Sequence, residues 1–190
     1  MSVVNNFIHW SFRLRSRFGN FKLQKELKGL KREHRFLNLK DAKRIGILFD
    51  GSEEGLLKEI DYFIKSFEKN NKNITALGYW DKKEIKDNPI RKFGYDYFTR
   101  SDVNWFLIPN HTIVKEFIYS DFDILINVNT ENSFPLQYVA AMSKATMRVG
   151  KYFADSSHYY DLMIYQKSPT NNLKNYFEQV NHYLNIINGK

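Results

Sequence analysis

The chain has 190 residues, 43% of them hydrophobic and 16% aromatic, and no cysteine. This length suits one domain with a buried core, and the missing thiols exclude disulfides, thiolate metal sites and a cysteine nucleophile. The net charge of +8 is uneven: residues 1–44 hold 12 of the 29 Lys and Arg against three acids, leaving the remainder at −1, an asymmetry that points to an N-terminal segment meeting an anionic partner.

Val3, Phe7, Trp10, Leu14 and Phe18 recur in steps of three and four, which predicts a helix over 3–18. Asn5, Asn6, His9, Arg13 and Arg15 interrupt any signal-peptide core there. No apolar run approaches the roughly 20 residues that span a bilayer. The expectation is a cytoplasmic protein, soluble or peripheral to the inner membrane. Gly19-Asn20 tolerates left-handed backbone and is a predicted helix stop. Leu23, Leu27, Leu30, His34 and Leu37 then predict a second helix over 22–37, weakened by about 1 kcal/mol at Gly29. Residues 1–40 thus form a basic two-helix arm ahead of a domain over 41–190.

From there the period changes. Ile45–Phe49 reads as a buried strand, 53–69 as a helix through Leu56, Leu57, Ile60, Phe63, Ile64 and Phe67, and Asn73–Tyr79 as a second strand. Asp81 to Asp87 is a charged loop, Phe93–Phe98 a short strand, and Ser101 the cap of a turn through Trp105. A helix over 111–119 precedes the strand Phe122–Val128. Ser133 and Pro135 open a helix that runs to Ala145. Met147–Lys151 and Asp161–Tyr165 are strands, and a last helix spans about 170–187. Alternating strands and helices predict a three-layer, mostly parallel α/β sheet, Rossmann-like or flavodoxin-like.

The segments DAKRIGILFD (41–50), ALGYWDKK (76–83), NWFLIP (104–109), FDILIN (122–127), PLQYVAAMSKA (135–145), YDLMI (160–164) and QVNHYL (179–184) resemble an uncharacterised bacteroidete family of Rossmann-like proteins of about this length. The resemblance implies the fold. The family has no assigned activity, so no catalytic residue is carried over.

Ligands of open α/β sheets bind outside the carboxyl ends of the strands. The first such loop, Asp50-Gly51-Ser52-Glu53-Glu54, has no G-x-G-x-x-G and no G-K-[ST]. Ser52 suits a helix cap, and Glu53 and Glu54 suit the first turn, where they would repel a phosphate. Asp50 is the candidate acid, base or ribose contact. The second loop, Asn127 to Ser133, offers Asn127, Asn129 and Glu131 to a small polar, non-phosphorylated ligand, although these residue types also serve turns. The third, Lys151 to Asp161, holds Asp155, Ser156, Ser157, His158 and Asp161 without a G-x-S-x-G elbow, and reads as an exposed aromatic loop on the sheet edge. The segment Arg100 to Trp105 mixes charge, an amide and an aromatic, and reads equally as a binding loop or as a structured turn pinned by Trp105. His9, His34, His111, His158 and His182 lack metal-ligand spacing, so no metal and no cofactor is expected.

The basic arm is the strongest signal. Arg13, Arg15, Arg17, Lys22, Lys25, Lys28, Lys31, Arg32 and Arg35 are the candidate contacts to an anionic partner, interleaved with Phe7, Trp10, Phe12, Phe18 and Phe21. Such a pattern suits RNA or a ribonucleoprotein, where cations meet phosphates and rings stack on bases. It also suits an anionic membrane surface, and nucleic acid is favoured slightly. The alternative is packing on the protein's own sheet or on a second copy, a homo-oligomer. No DNA-reading motif is present. The sequence favours a binding or scaffold protein over an enzyme, with a small enzyme or metabolite sensor as the other reading.

Overall fold

The computed structural model describes residues 2–52, 56–84, 95–129, 131–166 and 173–188, with residues 2–11 and 155–157 described as backbone only. Six strands form one all-parallel sheet: β1 (Arg44–Asp50), β2 (Asn73–Trp80), β3 (Asp96–Thr99), β4 (Ile124–Asn127), β5 (Met147–Lys151) and β6 (Leu162–Ile164). Their spatial order is β3-β2-β1-β4-β5-β6. The short apolar runs become the central strands because both faces of a parallel sheet are covered. Ile47 of β1, for example, is registered against Ala76 on one side and Ile126 on the other, and all three are buried.

Helices α2 (Leu57–Glu68) and α5 (Leu173–Ile186) cover one face. Leu57, Ile60, Phe63, Ile64 and Phe67 form the buried stripe of α2, and Phe63 stacks on Phe177 of α5 with ring centroids 4.0 Å apart. Helices α3 (Thr112–Tyr119) and α4 (Phe134–Met142) cover the other face. His111, rather than a hydroxyl residue, caps α3 by accepting from the Ile113 N–H. Pro135 sits in the first turn of α4 as expected, and α4 stops at Met142, three residues short of the predicted end.

The N-terminal prediction is corrected. Residues 2–27 form one helix, α1 (Ser2–Leu27), which runs straight through Gly19-Asn20. Gly19 is there for space: a Cβ would collide with the Phe106 carbonyl oxygen and approach the Phe134 ring to 2.6 Å. Leu23 is fully buried in the α3/α4 core. Glu26 accepts from the Tyr138 hydroxyl at 2.5 Å. Asn20 and Gln24 both bond the Tyr159 hydroxyl.

The predicted second helix does not form. Residues 30–38 have no regular structure and cross the amino edge of the sheet. Two N–H groups here go to remote partners instead: that of Arg35 to Thr146 O, and that of Leu39, just beyond, to Leu184 O, at 3.3 and 2.8 Å. Leu37 and Leu39 are buried in the α2/α5 core with Asn38 between them, a period of two rather than 3.6. The first 40 residues therefore contribute to both faces of the domain.

Smaller corrections follow. Thr99, not Ser101, caps the 3-10 turn Arg100–Asp102; its hydroxyl accepts from the Ser101 N–H while Asp102 accepts from the Thr99 N–H. The turn after it is pinned by Asn104, whose side-chain oxygen accepts from Phe106 and Ile108 N–H groups, while Trp105 is 53% exposed. The third loop is only partly exposed, since Tyr159 and Tyr160 are buried. Glu53, Glu54, Phe93 and residues 170–172 lie outside the described residues.

Candidate functional site

Strand order reverses between β1 and β4, and the crevice outside their carboxyl ends is where an open α/β sheet binds ligands. Asp50 ends β1 and Asn127 ends β4. A cavity of about 210 Å³ opens there towards α2 and α5, and one of about 420 Å³ opens towards α1 and α4. Asp50, Asp81 and Glu131 line both.

Asp50 accepts the Ser52 N–H at 2.8 Å, closing an Asx turn. Burial raises its pKa, the bonds from Ser52 oppose the rise, and the charges of Asp81 and Glu131 add to it; the net direction is upward. The first turn that Ser52 is predicted to cap, at 53–55, lies outside the described residues. The Ser52 hydroxyl accepts from the Asp81 N–H at 3.0 Å. Ser52 thus ties the β1 loop to the end of β2.

Asp81 is held differently. Arg100 donates to its carboxylate at 2.7 Å and Tyr79 donates to the same oxygen at 3.0 Å. Bonding to Arg100 holds the carboxyl below its usual range against partial burial. The Tyr79 phenol is pushed up by burial and by Asp81. Arg15 of α1 reaches this cavity, where Phe12 and Arg15 form part of the wall. Its Nε donates to the Trp105 carbonyl at 2.8 Å.

The two asparagines of the second loop have separate fates. Asn127 is buried and committed: it donates to the Tyr160 hydroxyl at 2.7 Å and accepts from the Asn129 N–H at 3.2 Å. The absence of a side chain at Gly150 admits the Tyr160 ring, which a Cβ would approach to 2.5 Å. Burial pushes the Tyr160 phenol up to about 12. Asn127 is therefore a scaffold residue, not a free ligand contact. Asn129 is only 6% exposed and lines the smaller cavity, yet among the described residues neither its side-chain oxygen nor its nitrogen has a hydrogen-bond partner.

Asp50, Ser52, Asn129 and Glu131 thus converge. Asp81, Tyr79, Arg100 and Arg15 belong to the same crevice; Asp81 and Tyr79 escaped sequence reasoning, while Arg15 was expected to meet an anionic partner and not to wall this cavity. Asp81 directly follows the β2 strand, so a polar residue beyond each strand end was the available signal.

The basic residues also divide. Arg32 is not available to a partner: it forms a bidentate pair with Asp161 at 2.6 and 2.7 Å and donates to the Ala145 carbonyl. Its side chain is 14% exposed. Arg148 lies beside this pair, buried, with its pKa lowered to about 10 by burial and by Arg32. Arg13, Arg17, Lys22, Lys25, Lys28, Lys31 and Arg35 remain exposed. Lys22 lies over the Phe106 ring at 4.2 Å, and Phe18 packs near Trp105 at 6.0 Å. Among the described residues no three His, Asp or Glu are grouped to hold a metal ion, and no helix is long and apolar enough to cross a membrane.

Residues 15–187 match a family of unknown function, DUF6913. The chain belongs to that family. The match begins inside α1 at Arg15, so the docked half of the helix is part of the family's shared region. No curated protein matches the chain.

Proposed function

We propose that this DUF6913 member is a small-molecule binding protein whose switch-point crevice takes a polar, non-phosphorylated metabolite. Asn129 carries the reading. A buried amide with no partner costs about 1–3 kcal/mol for each group left unsatisfied, and one facing a cavity is satisfied when a ligand supplies the donor and the acceptor. Three carboxylates at the same crevice disfavour a phosphate. Only binding is proposed. A thermal-shift screen against a metabolite library tests it. At least one polar compound should stabilise the protein, and Asn129→Ala should remove that stabilisation without lowering the melting temperature of the free protein. Stabilisation by no compound, or stabilisation indifferent to Asn129→Ala, refutes the reading.

A second reading has its own support. The outward side of α1 presents Arg17, Lys22 and Lys25, with Lys28 in the turn after it, around Phe18, 49% exposed, and Phe21, 73% exposed. Basic groups among exposed rings suit an anionic partner, RNA or a ribonucleoprotein before a lipid surface, in a cytoplasmic protein. Phe21→Ala combined with Lys22→Ala and Lys25→Ala leaves Leu23 and Gly19 in place. The triple variant should fold normally and lose salt-dependent binding to single-stranded RNA. Unchanged binding to RNA, or none in the parent protein, refutes the RNA assignment.

A further inference from the structure

The two cavities at the crevice differ in charge. The larger one has Arg15 and Arg100 on its walls. The smaller has no cation among its described lining residues; its polar side consists of Asp50, Ser52, Asp81, Asn129 and Glu131, before an apolar back that includes Leu56, Ile60 and Leu173. Its carboxylates are not equally satisfied. Asp81 is neutralised by Arg100 and bonded by Tyr79. Asp50 receives the backbone N–H of Ser52 and meets the repulsion of Asp81 and Glu131. Glu131, at the exposed rim, acts electrostatically on Lys151 beyond the cavity. Like charges that share a site attract a counter-cation, and an apolar wall behind them favours one with a hydrocarbon body over a bare ion.

Resting on the reading of this crevice as a ligand site, we infer that the 210 Å³ cavity binds a small organic cation, a protonated primary amine on a short branched apolar body with a neighbouring hydroxyl or carbonyl. The ammonium donates to Asp50 and to the side-chain oxygen of Asn129. The neighbouring oxygen accepts from the Asn129 amide nitrogen. The hydrocarbon body lies against Leu56, Ile60 and Leu173, and Glu131 closes the charge balance from the rim. Each atom of the ligand answers a feature of the wall: Asp50 the charge, Asn129 the unmet donor and acceptor, the leucine side the shape.

Valinol has this make-up, an amine, a hydroxyl and an isopropyl group, and 3-methylbutane-1,2-diol and 3-methylbutyrate are its neutral and anionic counterparts. Titration of each into the isotope-labelled full chain, followed by the side-chain amide signal of Asn129, tests the inference. Valinol should shift that signal and bind about tenfold or more tightly than the diol, as expected for a charge-assisted bond in place of a neutral one. Asp50→Asn and, separately, Glu131→Gln should each reduce the preference for valinol over the diol. Glu131 lies at the rim, so its variant keeps the test alive should Asp50→Asn fail to fold. A diol that binds as tightly as valinol while shifting Asn129 overturns the cation assignment and leaves the crevice as a polar site. Preference for 3-methylbutyrate, or no shift of Asn129 by any of the three, also overturns it. The metabolite screen with Asn129→Ala decides separately whether the crevice binds anything.

Discussion

Replacing Gly19 with alanine separates a docked α1 from a free helical arm, because the two predict opposite signs. In a free helix, alanine is better than glycine by about 1 kcal/mol, so Gly19→Ala would raise helicity and leave the domain untouched. In the docked helix the new methyl collides with the Phe106 carbonyl oxygen and comes within 2.6 Å of the Phe134 ring. The carbonyl belongs to a turn held by two bonds to Asn104 and cannot swing aside as a flexible side chain would. Overpacking of this kind costs about 1–3 kcal/mol, which outweighs the propensity gain at all but its lower limit. A net loss of up to about 2 kcal/mol lowers the melting temperature of a chain of this size by up to about 8 °C. Urea unfolding followed by circular dichroism measures the loss, and hydrogen exchange of the α1 amides locates it. An unfolding midpoint that stays the same or rises, with α1 amides no less protected, refutes the docking.

Two further predictions use charge. The folded-state pKa of Asp50 is raised, so the folded protein binds that proton more tightly than the unfolded chain does. Its contribution is fully present below the ordinary carboxylate range and is lost as pH rises through the raised value; Asp50→Asn should therefore stabilise the protein at neutral pH and flatten its urea-midpoint profile there. Asp161 runs the other way: burial raises its pKa, but Arg32, the Arg148 N–H and both arginine charges together lower it. Its stabilisation is present above the ordinary range and lost on acidification through the lowered value. Removing one partner of this buried pair by Arg32→Ala should cost about 3–5 kcal/mol at neutral pH, seen as a fall in the urea midpoint; a loss below about 1 kcal/mol, the scale of a surface pair, would show that Arg32 is not buried against Asp161.

Much of this molecule was legible locally. The apolar runs at 45–49, 73–79 and 147–151 became strands, and the stripe through Leu57, Ile60 and Phe63 became the buried face of α2, because periodicity reports which side of an element meets the core. The position of Asp50 and Asn129 at the crevice was legible too, since a strand's carboxyl end in an α/β sheet is a place before it is a contact. The failures have one kind of cause. Gly19 looks like a helix stop in sequence, yet what decides its role is the Phe106 carbonyl 87 positions away. Leu30, His34 and Leu37 imitate a helical stripe, but the backbone there bonds Thr146 and Leu184.

Sequence by itself determined the class of most elements after residue 44, the parallel sheet and the basic N-terminal segment, because side-chain spacing and charge act over a few residues. Tertiary structure alone decided the strand order that puts the crevice between β1 and β4. It also decided that Asn127 is spent on Tyr160 while Asn129 is left open, and that α1 walls the site instead of projecting from it. Those outcomes depend on which distant group fills a given donor, acceptor or volume, and no local pattern carries that information.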